Sequence, residues 1–164
     1  MQIKYKISLI RLNEKHFPLF YKWWNDQALR KLTSEDYSPI TKDEINKILN
    51  QHLLNKNAFD FIIYADNKPI GHLILQKKNG NKYYEIYIAI GEKNYWNKGI
   101  GTIAMTKAHQ WFFKKFKKEK LIKLNVLTNN SRAISCYQGI GYRKIRIVHS
   151  KHFSDTILMY KYRK

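Results

Sequence analysis

Three runs in succession, "FDFIIYA" (59–65), "KPIGHLILQKK" (68–78) and "YYEIYIAIG" (83–91), carry the two-residue alternation of strands and are parted only by turn residues. Links this short join antiparallel neighbours, because a parallel pair needs a crossover of about a dozen residues or more. The chain is therefore built on an antiparallel meander. Directly after it the period lengthens: Ile100, Ile103, Ala104, Ala108, Trp111 and Phe112 recur at helical spacing. Gly99 and Gly101 thus fall at a strand-to-helix junction.

Ile3 to Leu12 alternate as a strand, after which Asn13 caps a helix with an apolar stripe through Phe17, Phe20, Tyr21 and Trp24. Thr41 and Glu44 form a capping box that opens a second helix over Lys42 to Leu54. Beyond the glycines, "KLIKLNVLT" (120–128) reads as a strand, "NSRAISCYQGIG" (130–141) as a short helix ended by glycine, and "YRKIRIVHS" (142–150) and "DTILMYKYR" (155–163) as two more strands. The predicted order is β, α, α, β, β, β, α, β, α, β, β. That is mixed α/β, and not the strict alternation of a doubly wound sheet. At 164 residues, the expectation is a single domain over positions 1–164.

Lysine and arginine number 31 against 12 acidic residues, a net charge of +19 that favours polyanionic neighbours such as the ribosome. The same excess of Lys, Asn and Ile is what AT-rich coding yields without any partner. With Cys136 as the lone cysteine there is no internal disulfide, and the six histidines lack metal-ligand spacing, so no metal is expected. Nothing reaches the ~18 apolar residues of a membrane span, and a cytoplasmic protein with no membrane partner is expected.

At Trp96-Asn97-Lys98-Gly99-Ile100-Gly101-Thr102 the first helical amides have no intrahelical acceptors and the helix dipole adds partial positive charge. Gly99 and Gly101 let backbone approach an anion closely, with Lys98 and the Thr102 hydroxyl at hand. The same pair of glycines also serves a plain tight turn packing a helix on a sheet. There is no Gly-x-x-x-x-Gly-Lys-Ser/Thr, and the turn does not open a βαβ unit. Neither a P-loop NTPase nor a dinucleotide enzyme is indicated.

"YWNKGIGT" resembles motif A of the GNAT acetyltransferase superfamily, Gln/Arg-x-x-Gly-x-Gly/Ala, with Trp96 in the opening position. The form is similar to that of ribosomal-protein (RimJ/RimL-like) and aminoglycoside 6′-type members. "NVLTNNSRAISCYQGIGYRKI" resembles motif B through Asn130, Ala133, Tyr137, Gly141 and Tyr142. The resemblance implies a largely antiparallel twisted sheet of about seven strands, splayed in the middle and flanked by about four helices. It implies acetyl-CoA as cosubstrate, its pyrophosphate held by the backbone from Trp96 through Asn97, Lys98, Gly99, Ile100 and Gly101 to Thr102.

In that resemblance the strand "YIAIG" supplies Ile88, Ala89 and Ile90, with amides near Ala89 and Ile90 meeting the acetyl carbonyl, and Asn130 contacts the pantetheine arm. As a residue, Asn130 is also simply a helix cap. Ala133 and Tyr137 lie four apart on one helical face, whereas Cys136 is turned about 100° away and reads as a buried apolar thiol. Tyr137, with an ordinary phenol pKa near 10, is the candidate acid for the departing thiolate, or else a core tyrosine.

Glu85 is the candidate base, in line with histone-type members. It is otherwise an ordinary exposed strand carboxylate, and a base acting through a water chain is also open. The acceptor is a primary amine: a ribosomal-type protein N-terminus or lysine, or a small amine. An aminoglycoside or amino sugar is the alternative, although Tyr87 stands where several aminoglycoside enzymes carry an aspartate and only Glu14, Asp26, Glu35, Asp36 and Glu85 could gather as an acidic pocket. A non-enzymatic basic RNA-binding module is the reading from a different class, and a monomer or homodimer is expected.

Overall fold

The computed structural model describes residues 5–33, 38–151 and 154–163. Strand β1 (Ile7–Arg11) is followed by a 3-10 turn (Glu14–His16), helix α1 (Phe17–Trp23), helix α2 (Gln27–Thr33) and helix α3 (Lys42–Leu54). The meander is β2 (Ala58–Ala65), β3 (Lys68–Gln76) and β4 (Tyr84–Ile90). Then come α4 (Ile100–Lys115), β5 (Leu121–Leu127), α5 (Ser131–Gly139), β6 (Arg143–Val148) and β7 (Thr156–Tyr162). The seven strands of the described residues form one sheet in the order β1-β2-β3-β4-β5-β7-β6, mixed α/β as the predicted element order implied.

Among the described residues five helices flank it where the sequence pattern indicated four. The stretch after Asn13 breaks in two because α1 stops at Trp23, and Asp26 then starts α2 by accepting from the Leu29 amide at 2.9 Å. The apolar stripe shifts accordingly: Phe17, Phe20 and Trp23 are buried, while Tyr21 and Trp24 are only half-buried. At Asn13 a capping box closes with His16 in place of an acidic partner. The Thr41–Glu44 box is present as read, each side chain meeting the other's backbone amide. The predicted first strand began at Ile3; Ile3 and Lys4 lie outside the described residues, as do Glu35 and Asp36.

Alternation along β2 sends Phe61 and Ile63 to one face and Ile62 to the other, so the sheet carries two apolar layers. On one side α4 and α5 close over Ile100, Ala104, Met105, Ala108, Phe112 and Ile134. On the opposite side α1, α2 and α3 bring Phe20, Trp23, Leu29, Ile45 and Leu49 against Ile62.

The sheet opens at its centre. Strands β4 and β5 run parallel and share register only at Tyr84 with Ile122 and Glu85 with Lys123. Beyond that point β4 stays with β3 as far as Ile90, and β5 stays with β7 along its whole length. The β5-facing edge of β4 past Glu85 therefore has no strand partner, and the two halves of the sheet diverge into a fork.

Candidate active site

The fork, the start of α4 and one side of α5 border a single cleft of about 810 Å³. A volume of this order suits an organic ligand with both apolar and polar parts. Gly99 is the N-cap of α4 and sits at φ 69°, in the left-handed region that a residue with a Cβ enters only at a cost of roughly 1–2 kcal/mol. Asn97, two residues earlier, is also left-handed at φ 60°. Together they curl the chain where residues 97–102 line the cleft. No side chain caps them, and the Ile103 amide is the one that returns to the Gly99 carbonyl, at 3.3 Å. Outside its own turn of helix, a Cβ placed on Gly101 would meet nothing within 4 Å. Uncapped donors, a helix dipole over 16 residues and a bare glycine in the cleft wall fit a pyrophosphate cradle.

The departure at Trp96 has a structural counterpart. Its indole N–H donates to the Ile90 carbonyl at 2.7 Å, tying the turn to the end of β4. Over its ring, 5.2 Å from the centroid, lies the guanidinium of Arg132 from α5, which also donates to Asn97 Oδ1 at 3.0 Å. An arginine thus stands at the turn after all, contributed by the other motif. The Lys98 ammonium lies over the rings of Tyr5 and Tyr95. Thr102 Oγ1 is within 3.1 Å of Cys136 Sγ, and Cys136 is half-buried in the cleft wall and not a core thiol.

Asn130 caps α5 through the Ala133 amide at 3.2 Å and donates to the Leu32 carbonyl of α2 at 3.3 Å, linking the two walls. Ala133 and Tyr137 both line the cleft. The Tyr137 ring leans on Tyr142, 5.9 Å between centroids, and Tyr142 in turn is hydrogen-bonded to His109 Nε2 at 2.8 Å. Desolvation, with the neighbouring Cys136 as a lesser cause, raises the Tyr137 pKa well above the usual phenol value, so the phenol keeps its proton. Of the β4 wall, Ile88 and Ile90 pack toward α4 and Ala89 toward α1, with all three reaching the cleft.

The face of the cleft under α1 and α2 holds residues outside the two motifs. Trp24 Nε1–H donates to His72 Nε2 at 3.2 Å, which leaves the ring proton on Nδ1. Packing among Phe20, Trp23 and Trp24 desolvates His72 and lowers its pKa to about 4, so it is neutral at pH 7. Tyr87 lines the same face, and its hydroxyl contacts the carboxylate of Glu85 and the amide of Gln76.

Glu85 itself does not line the cleft. It is 6% exposed, so it is not the exposed strand carboxylate that its position allowed. Its Oε1 accepts from Asn125 Nδ2 at 2.7 Å, and Oε2 lies 3.4 Å from Lys123 Nζ. Nor does an acidic pocket form among the described residues: Asp26 pairs with Lys93 at 2.8 Å, Glu14 is exposed at its 3-10 turn, and neither borders the cleft. No group of three His, Cys, Asp or Glu among the described residues could hold a metal, and no described helix is long and apolar enough to cross a membrane.

Residues 17–142 match the acetyltransferase (GNAT) family. The fold is similar to spermidine N-acetyltransferase from Vibrio cholerae in complex with CoA and spermine, at TM-score 0.83 and 18% identity, covering 95% of each chain. It is similar too to the aminoglycoside acetyltransferase AAC(6′)-Ib in complex with coenzyme A, at TM-score 0.82 and 18% identity, over 96% of this chain and 95% of that one. A GNAT-family acetyltransferase from Bacillus anthracis aligns at TM-score 0.79 and 19% identity over 99% and 98%.

Proposed function

The chain belongs to the acetyltransferase (GNAT) family, and from that premise we propose that it transfers the acetyl group of acetyl-CoA directly to a primary amine. The observation that carries this reading is one cleft joining the uncapped start of α4, the opened edge of β4 and the phenol of Tyr137. Acetyl-CoA supplies an activated thioester. The backbone from Asn97 to Thr102 grips its diphosphate, with Arg132 adding charge, and Asn130 and Ala133 border the pantetheine arm. Amides near Ala89 and Ile90 on the unpaired edge of β4 polarise the acetyl carbonyl, and Tyr137 protonates the departing sulfur. Glu85 takes the proton that the amine loses.

The acceptor is a protein amine, N-terminal or lysine, or a small amine that is not a polycation. Among the described residues of the cleft wall, Arg30, Lys98 and Arg132 are cationic and none is acidic. The described wall therefore offers no carboxylate to a spermine-like or aminoglycoside-like acceptor. Two measurements test the activity: acetyl-CoA should raise the melting temperature through linkage, and thiol release should be screened across ribosomal peptides, polyamines, aminoglycosides and amino sugars. Preference for a peptide amine supports the assignment. Thiol release confined to polyamines or aminoglycosides overturns the acceptor, and no acetyl-CoA binding overturns the activity.

A further inference from the structure

Glu85 is buried at the crotch of the fork, outside the cleft wall, so an amine bound in the cleft does not reach it directly. Tyr87 is two residues further along β4 and therefore on the same face, with its side chain in the cleft. Its hydroxyl lies beside the Glu85 carboxylate and the Gln76 side-chain amide, and Gln76 is the residue directly opposite Glu85 on β3. The far side of the carboxylate is held by Asn125 at 2.7 Å and Lys123 at 3.4 Å, both from β5. One side chain thus bridges the cleft to a buried carboxylate whose other contacts are fixed.

We propose that Tyr87 is the proton relay of this enzyme, passing the acceptor amine's proton to Glu85. The inference rests on the proposed acetyl transfer. As the nitrogen–carbon bond forms and the carbon–sulfur bond breaks, the surplus proton on nitrogen moves to the Tyr87 oxygen. The proton Tyr87 held moves to a Glu85 oxygen, and Tyr137 delivers its own proton to the sulfur. Exchange with solvent then returns Glu85 and Tyr137 to their starting states. Tyr87 suits transfer over storage, because desolvation first and the adjoining carboxylate second hold its phenol protonated at neutral pH. Among the described residues, Lys123 and Tyr160 stand across the fork, His72 on β3 and Arg30 on α2. His72 is neutral at working pH, and Arg30 is engaged by the Ser38 carbonyl at 2.5 Å.

The test uses the full chain with acetyl-CoA and whichever amine of the screen releases thiol fastest. Tyr87→Phe keeps the ring packing and removes the bridge. It should lower kcat by about a hundredfold at pH 7, leave the acetyl-CoA dissociation constant unchanged, and recover toward wild type as pH approaches the amine's own pKa, ~10 for an alkyl amine. Glu85→Gln should show the same pH-dependent deficit, with no further loss in the double variant. Independently of turnover, the 13Cζ resonance of Tyr87, identified by its absence in Tyr87→Phe, should shift in Glu85→Gln. An unmoved resonance, or an active wild type matched by Tyr87→Phe at every pH, overturns the relay alone; an inert wild type overturns the activity beneath it.

Discussion

The side-chain amide of Asn125 donates to the Glu85 carboxylate at 2.7 Å across the point where β4 and β5 part company. Glu85 and Lys123 are the last residues of the two strands in register, so this bond and the 3.4 Å ion pair to Lys123 stand immediately at the split. The place where the sheet opens is thereby fixed by side chains as well as by backbone. Asn125→Ala should cost about 0.5–1.5 kcal/mol, since it removes a donor to a buried carboxylate at a position that water can also reach. Urea denaturation measures this, and a stability equal to wild type would remove Asn125 as a fastener.

Gly101 separates stability from binding. It lies in the first turn of α4 with nothing outside that turn within 4 Å of where a Cβ would stand, so Gly101→Ala should stabilise the free protein by about 0.5–1 kcal/mol through the unfolded state. The added methyl enters the cradle instead, and acetyl-CoA binding should weaken by about tenfold, equivalent to ~1.4 kcal/mol. Thermal melts of the free protein and calorimetry with acetyl-CoA should move in opposite senses.

Arg132 is expected to supply the cation that position 96 lacks. Arg132→Ala should weaken acetyl-CoA binding by about thirtyfold, equivalent to ~2 kcal/mol and within the ~1.5–3 kcal/mol of a charge-assisted hydrogen bond. Because Arg132 is exposed, the difference from wild type should shrink as salt is raised. Calorimetry at two ionic strengths reads both effects.

Tyr137→Phe should reduce kcat by about a hundredfold while changing acetyl-CoA affinity by less than about threefold, because the ring and its contact with Tyr142 remain. Unchanged turnover would leave Tyr137 as a packing residue only.

Acid should destabilise the fold through two buried imidazoles. Burial lowers His72 to about 4 and His109 to about 3, from 6.5 when unfolded. Between those values the unfolded chain binds protons that the folded chain does not, so stability falls as pH drops from about 6.5, and the loss is complete below the folded values. For His72 alone this amounts to ~3 kcal/mol. His109→Gln removes one titration while keeping a polar partner for the Tyr142 hydroxyl, and should flatten the decline of melting temperature between pH 7 and pH 3.

Periodicity alone carried the meander, the long helix after the glycines and the capping box at Thr41, because each depends on neighbours within about four residues. The glycine turn was legible for the same reason: left-handed backbone at Gly99 is a local demand. The break between α1 and α2 was hidden, since "FYKWWNDQALR" keeps enough apolar spacing to pass for one helix and its interruption lies in the Asp26 cap. His72 gave no signal, and Trp24 read only as part of an apolar helix stripe. Each is an ordinary residue of its own element, and only the packing of α1 on β3 brings their nitrogens to 3.2 Å.

From its residues, the chain settled its strands and most of its helices, where a glycine turn leaves helical amides uncapped, and that a small-residue and phenol pair shares a helical face. These follow from short-range geometry, which repeats every two or 3.6 residues and can be counted along a string. Tertiary structure alone decided that an arginine from α5 serves the turn, that the sheet divides after Glu85, and that Glu85 faces Asn125 and Tyr87 in place of open solvent. Those contacts join residues up to 40 positions apart, and their energy comes from burial and partner geometry, which no local pattern encodes.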